Sequence, residues 1–93
     1  TPYVLISRKD PSSPSTLDDM PGKRLAMIRG MYLVDYVTTH YPHVKIVLAD
    51  NAAELMAMVA KGEVDAGVNS LLIANYMIAQ QYREKLQVTS SVG

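Results

Sequence analysis

Short runs of consecutive apolar residues recur along the 93-residue chain. Runs of this length, bounded by turn-forming or charged residues, predict strands that are buried on both faces. The strands predicted in this way cover residues 4–6, 25–28, 44–49, 65–69 and 86–89.

Between the later runs, apolar residues return at helical spacing and predict three helices. The first covers residues 31–40 and ends before Pro42. The second is the clearest, because Asn51 and Glu54 have the spacing of a capping box and Gly62 has the position of a C-terminal cap. Ser70 is placed to cap the third helix.

Strands that alternate with helices are typical of right-handed βαβ units on a mainly parallel sheet. The pattern therefore predicts an α/β domain. Residues 8–22 interrupt it, because Pro11, Pro14 and Pro21 are too closely spaced for a helix or a central strand. We expect an irregular loop there, with at most one helical turn after Thr16.

Composition narrows the classes of protein. Hydrophobic residues make up 48% of the chain and charged residues 19%, which excludes intrinsic disorder. The net charge is zero, so the sequence gives no indication of nucleic acid or of direct contact with an anionic membrane as a partner. Cysteine is absent, and the apolar runs are far shorter than the about 20 residues of a membrane helix. A start at Thr1 without a signal-peptide pattern suggests a domain cut from a longer protein.

In open α/β sheets, ligands bind beyond the carboxyl ends of the strands, where the strand order reverses. If the strand at 25–28 is central, its end and the end of the 65–69 strand form two lips of a crevice. The candidate ligand-binding residues are Arg29, Gly30, Met31, Tyr32, Asn69 and Ser70. Some of them also have a purely structural explanation: Gly30 would reverse the chain, Ser70 would cap a helix, and Arg29 would extend into solvent from a strand end.

No catalytic motif is present in the sequence. It lacks a Walker lysine loop, a dinucleotide-binding glycine triplet and a Gly-x-Ser-x-Gly elbow. His40 and His43 have no nearby thiolate or carboxylate and make a poor metal site. We therefore expect a domain without catalytic residues, metal or cofactor.

Two segments resemble a known family. Residues 16–30 (TLDDMPGKRLAMIRG) and residues 51–68, with Glu54-Leu55 and the run VAKGEVDA at 59–66, are similar to the second lobe of family 3 bacterial solute-binding proteins. The resemblance implies a type II periplasmic-binding, or Venus-flytrap, fold, in which two lobes close on a small solute. It also implies a three-layer sandwich with a five-stranded, mainly parallel sheet. The strand at 4–6 would be antiparallel and lie with the 86–89 strand beyond the 65–69 strand.

By this resemblance, residues 1–93 form a single second lobe, and Thr1 to Tyr3 resemble a hinge crossing. Amino-acid transporters of the family usually have an acidic residue where this chain has Asn69, and a hydroxyl residue where it has Met31. We expect the Asn69 side chain to point into the cleft and not into the core, and its replacement by Asp to change stability little.

Arg29-Gly30 after the strand at 25–28, Tyr41-Pro42 before the strand at 44–49 and Asn69 in place of the acid are more similar to the sensor modules of hybrid histidine kinases. This resemblance implies the periplasmic part of an inner-membrane protein. The alternatives are a transporter's solute-binding protein for a polar, amino-acid-like solute and the binding domain of a lytic transglycosylase. The expected partners are a small solute and the first lobe of the parent chain. Apolar surface exposed on an excised lobe would favour its self-association.

Overall fold

The computed structural model of the protein describes residues 2–92, and it contains every strand and helix that the sequence predicts. Thr1, part of the expected hinge crossing, lies outside the described residues. The strands are β1 (Tyr3–Arg8), β2 (Arg24–Ile28), β3 (Lys45–Ala49), β4 (Ala66–Ser70) and β5 (Leu86–Val92). The helices are α1 (Leu33–His40), α2 (Ala52–Lys61) and α3 (Leu71–Met77).

The five strands form one sheet in the order β3-β2-β4-β1-β5. Strand β2 is parallel to β3 and to β4, whereas β1 is antiparallel to both β4 and β5. Four strands therefore run in one direction and β1 runs against them. This arrangement confirms the predicted antiparallel strand and its place beside β5, beyond β4.

Helices cover both faces of the sheet because the chain reverses its direction of travel after β3. The connection through α1 leads from β2 to β3, and the connection through α2 returns across β2 to β4. Crossovers of the usual right hand that lead in opposite directions place their helices on opposite faces of a sheet. Leu33 and Val37 of α1 belong to one apolar core, and Leu55 and Val59 of α2 belong to the other. The result is the three-layer α/β sandwich that was predicted.

The segment at 9–22 is irregular, whereas Arg8, which was expected to begin the loop, is the last residue of β1. Side chains fix the segment to the core on the α1 side. It contains one short 3₁₀ turn, Leu17–Asp19, where a helical turn was expected. The Thr16 N–H donates to the Asp19 carboxylate at 3.3 Å. Leu17 and Met20 are buried in the core on the α1 side.

The ends of α2 have the predicted caps. The Asn51 side-chain oxygen accepts from the Glu54 N–H at 2.8 Å, and the Glu54 carboxylate accepts from the Asp50 N–H at 2.7 Å. At the other end, Gly62 has a φ of 80°, in the left-handed region that favours glycine. The bonds of Asn51 and Glu54 start the helix, although Glu54 accepts from the N–H of Asp50 and not from that of the cap residue itself. Gly62 ends the helix, and all these signals lie next to it in the sequence, which is why the sequence located it well.

The third helix is shorter than its apolar spacing suggests. After Met77 the chain continues as a single π-helical turn, Ile78–Tyr82. Strand β5 is longer than predicted, because residues beyond Thr89 continue the pairing with β1 as far as Val92. Its Ser90 and Ser91 gave no strand signal in the sequence, and the pairing with β1 supplies what local propensity lacked.

Candidate functional site

The candidate crevice lies at the carboxyl ends of β2 and β4. The pairing of these two strands stops at Ala26 and Gly67. By contrast, β2 stays paired with β3 to its last residue, Ile28, and β4 stays paired with β1 to Ser70. The helices that follow β2 and β4 cover opposite faces of the sheet. The strand ends thus separate at the topological switch point, where open α/β sheets bind ligands.

The first lip of the crevice is the turn that joins β2 to α1. The Arg29 N–H donates to the Ala49 carbonyl at 2.8 Å, which ties the turn to β3. Gly30 has a φ of 86°, so the turn itself requires glycine. The Met31 N–H donates back to the Ile28 carbonyl at 3.2 Å. The tight turn leaves Tyr32 at the start of α1 with its side chain exposed.

The Arg29 side chain has a partner that the sequence did not indicate. Its Nε lies 3.3 Å from a carboxylate oxygen of Asp50, which follows β3. Both side chains are exposed, so the pair contributes little to stability. Asp50 partly neutralises Arg29 at the lip, and a carboxylate that binds there has to compete with it.

Ser70 lies on the second lip and caps α3, as its position in the sequence indicates. Its Oγ accepts from the Ile73 N–H at 3.3 Å. The next residue, Leu71, donates its N–H to the Pro2 carbonyl at 2.9 Å. The start of α3 is therefore fixed to the segment that enters β1.

Asn69 differs from the expectation that its side chain points into an open cleft, because the residue is only 1% exposed. Alternate residues of a strand share a face, so Asn69 lies on the side of Gly67, which Leu55 and Val59 of α2 cover. The Asn69 Oδ1 accepts from the Ser70 N–H at 2.8 Å. Its Nδ2 is buried without a hydrogen-bond partner among the described residues. Asn69 thus supports the second lip from within the fold.

Tyr3 is a residue of the crevice that the sequence reasoning missed. Its ring meets that of Tyr32 edge-to-face, with centroids 6.1 Å apart and planes at 81°. In the sheet it pairs with Ser70 on one side and with Val92 on the other. No local pattern points to this contact, because the two tyrosines are far apart in the chain and meet only through the β1–β4 pairing.

The other chemistry-bearing residues do not gather at the crevice. His40 and His43 are both exposed at the end of α1. No group of three potential metal ligands occurs within residues 2–92. Two surface depressions, which share Gln81 and Lys85, are centred on the π-helical turn. None of the helices described is long and apolar enough to cross a membrane.

Comparison with known proteins finds sensor proteins. The virulence sensor protein BvgS of Bordetella bronchiseptica is 34% identical over 89 residues, which are 96% of this chain and 7% of BvgS. The sensor protein EvgS of Escherichia coli K12 is 35% identical over 86 residues, 92% of this chain and 7% of EvgS. The chain thus spans a small part of these relatives. No protein-family model matches it.

Solved structures agree with the sequence relatives. The periplasmic VFT2 domain of Bordetella pertussis BvgS superimposes with a TM-score of 0.92 and 33% identity, over 98% of this chain and 39% of that one. Domain 2 of the T. maritima arginine-binding protein superimposes with a TM-score of 0.81 and 27% identity, over 97% of this chain and 96% of that one. Both the sensor and the solute-binding structures thus contain this lobe nearly in full.

Proposed function

Because the chain is a Venus-flytrap lobe related to the periplasmic domain of BvgS, we propose that it is the second lobe of a solute-sensing domain in a sensor histidine kinase. The observation that carries the proposal is the likeness to BvgS, which extends over nearly the whole lobe in both sequence and structure. This relationship implies an extracytoplasmic location and a first lobe elsewhere in the parent chain. Anchoring of that chain in the inner membrane, and its kinase activity, belong to the proposal.

The crevice would form one wall of the solute site. Gly30 makes the turn before α1, Met31 packs against the core behind that turn, and the exposed ring of Tyr32 offers an apolar face. Ser70 would line the opposite lip, supported from behind by Asn69. A solute held between this wall and the first lobe would favour the closed arrangement of the two lobes, and closure would be the signal.

The charges on the wall favour a solute that needs no carboxylate from this lobe. Of the six candidate residues, only Arg29 is charged, and it is paired with Asp50. Asn69 has a neutral amide, buried and bonded to Ser70, and so cannot balance a ligand ammonium. The related arginine-binding protein has been solved with arginine bound, but the wall described here has no carboxylate among its candidates for a cationic group.

A second candidate function is a transporter's solute-binding protein. It is favoured by the structural match to domain 2 of the T. maritima arginine-binding protein, which corresponds to this chain almost from end to end. The match carries lower identity than that to BvgS, so we rank it second. Self-association of an excised lobe through its open wall remains a prediction.

The experiment uses the two-lobed domain and the full parent chain. A panel of amino acids, including L-arginine and L-glutamine, and their deaminated carboxylic acids is screened by thermal shift on the two-lobed domain. A hit is then added to the full chain in membrane vesicles, and autophosphorylation is measured. Sensing predicts that the hit alters autophosphorylation and that Tyr32→Ala weakens the shift.

Tyr76→Ala is the matched control, because Tyr76 is an equally exposed tyrosine on α3 outside the candidate wall. It should leave the thermal shift unchanged. The transporter would be favoured by two results together: a solute that binds without changing autophosphorylation, and a parent chain that restores uptake of that solute. An equal decrease of the thermal shift in the Tyr32→Ala and Tyr76→Ala variants would contradict the proposed wall.

A further inference from the structure

Tyr3 lies where three parts of the carboxyl edge meet. Its backbone pairs with Ser70, on the second lip, and with Val92, at the end of β5. Its ring contacts the ring of Tyr32, on the first lip. One residue therefore touches both lips of the crevice and the last residue described in β5.

The position of β1 and β5 gives this contact its significance. Tyr3 begins β1 and Val92 ends β5, and the two residues are paired at the same edge of the sheet. The BvgS domain that contains a similar lobe is more than twice as long. Because β1 and β5 are the first and last elements described in this lobe, a second lobe in the same chain would connect through them. If the proposed function holds, β1 and β5 are the hinge strands, and Tyr3 is the hinge residue closest to the site.

We propose that Tyr3 is a positioning residue that couples the solute crevice to the hinge through its edge-to-face contact with Tyr32. The proposal rests on the proposed function for the identity of the hinge. Movement of the first lip then changes the packing at the start of β1, and movement of the hinge changes the orientation of the Tyr32 ring. Tyr3 itself need not touch the solute.

The Tyr32 ring has few other contacts to hold it in place. The residue is 71% exposed, and its side chain makes no capping hydrogen bond at the start of α1. Tyr36, one turn later, is by contrast stacked on His40 with ring centroids 4.5 Å apart. Because Tyr3 is the one aromatic ring found against Tyr32 among residues 2–92, their contact decides where the Tyr32 ring rests.

The test measures the hinge without any solute, so that it does not depend on finding one. A spin label is placed at Gln80→Cys, an exposed position in a chain without cysteine, and a second label on the opposite lobe of the two-lobed domain. Distance distributions give the ratio of open to closed molecules. Tyr3→Leu and Tyr32→Leu are compared with Tyr3→Phe, which keeps the ring, and with Tyr76→Leu.

We expect Tyr3→Leu and Tyr32→Leu to shift the ratio in the same direction, each by about 2- to 10-fold, the size expected for loss of an aromatic pair. The double variant should shift it no further than either single variant, because both remove one contact. Tyr3→Phe and Tyr76→Leu should match the unmodified domain.

Additive shifts in the double variant, or a Tyr3→Phe variant that behaves like Tyr3→Leu, would overturn the coupling. If Tyr3→Leu does not fold, Tyr32→Leu alone decides, because its exposed side chain is not part of the core. An unchanged ratio in Tyr32→Leu would then overturn it. Since no solute is used, failure here is distinct from failure of the solute screen.

Discussion

The parallel strands of the sheet all begin along one side, the amino edge, and all end along the opposite side, the carboxyl edge. These two sides are built differently. At the amino edge of the parallel strands, the end of β1 is bonded to its neighbours. One guanidinium nitrogen of Arg8, Nη1, donates to the carbonyls of Val59 and Val64 at 2.7 and 2.8 Å. Close by, the Asp65 N–H donates to the Arg24 carbonyl, and the Asp65 carboxylate accepts from the Arg24 N–H, each at 2.9 Å.

At the carboxyl edge the same strands part. The β2–β4 ladder ends at Ala26 and Gly67, a donor of Asn69 has no partner within the described chain, and Tyr32 is exposed. The comparison indicates that side-chain hydrogen bonds hold the strands together at the amino edge, whereas the carboxyl edge, where we propose that a solute binds, has fewer of them. Regions that bind ligands commonly come from the less stable part of a fold.

Asn69→Asp is expected to have the largest effect on stability, and it tests whether the side chain at position 69 is buried. A buried carboxylate in place of the unpartnered amide should destabilise the chain by roughly 3 kcal/mol near neutral pH. Burial penalises the charged form, so the loss should grow as the pH rises above about 4. Urea denaturation at several pH values measures it.

Asn75→Asp is the control, because Asn75 is exposed on α3 and should tolerate the charge. An unchanged midpoint for Asn69→Asp would mean that solvent reaches position 69, as we first expected from the sequence. The carboxyl edge would then be more open than the burial of Asn69 indicates, and the Asn69 side chain would belong to the exposed surface of the second lip.

Arg8→Ala tests the amino edge. It leaves the carbonyls of Val59 and Val64 without their charged donor, at an expected cost of about 2 kcal/mol. The ion pairs of Arg8 with Asp10 and Asp65, both at 4.0 Å, add little. Arg8→Lys should recover part of the loss, because an ammonium keeps the charge but not the planar geometry.

Denaturation of the same chain with Arg83→Ala provides the reference, since the Arg83 guanidinium only reaches the Ala79 carbonyl at 3.5 Å. Equal losses for Arg8→Ala and Arg83→Ala would show that the amino edge does not stabilise the lobe in the way the hydrogen bonds suggest.

The smallest expected effect on stability concerns Asp10 and Ser12, in the exposed loop that follows β1. The Ser12 hydroxyl donates to the Asp10 carboxylate at 2.6 Å and the Ser12 N–H donates at 2.9 Å, and these bonds hold the pKa of Asp10 below its ordinary value. Ser12→Ala removes the first bond, so the pKa of Asp10 should rise part of the way back. An NMR titration of the Asp10 carboxyl measures it.

The sign for stability follows from the direction of that shift. A lowered pKa in the folded chain favours folding above the unfolded pKa of the carboxyl, and this contribution is lost as the pH falls through the folded pKa. Ser12→Ala should therefore slightly reduce the difference between the free energies of unfolding at neutral and at acidic pH. Ser15→Ala, in the same loop, should leave the pKa of Asp10 unchanged, and an equal rise would count against the Ser12 bond.

Local signals explain which elements the sequence predicted well. The helix α2 begins at the Asn51 cap, whose side chain accepts from the Glu54 N–H, and ends at Gly62, whose N–H donates to the carbonyls of Met58 and Val59. Each of these bonds joins residues within a few positions of each other. The strand β2 is marked by its own apolar run. The extension of β5 to Val92 and the π-helical turn after Met77 were not predicted, because neither has a local signal.

For the candidate site, the sequence determined which residues follow β2 and β4, and the sheet order places those strand ends side by side. Whether a side chain is exposed there was decided by tertiary structure. Asn69 is buried because α2, distant in sequence, covers its face of the sheet, and Arg29 meets Asp50 because β3 ends beside β2. Tyr3 reaches Tyr32 only through the strand pairing.

By itself, then, the sequence of this protein determined the periodicity, the caps and the order of its strands and helices, because those depend on neighbours within one or two turns. The tertiary structure alone decided the separation of β2 from β4, the burial of Asn69 and the contact of Tyr3 with Tyr32. These features depend on the packing of elements far apart in the chain, for which no local pattern carries a signal.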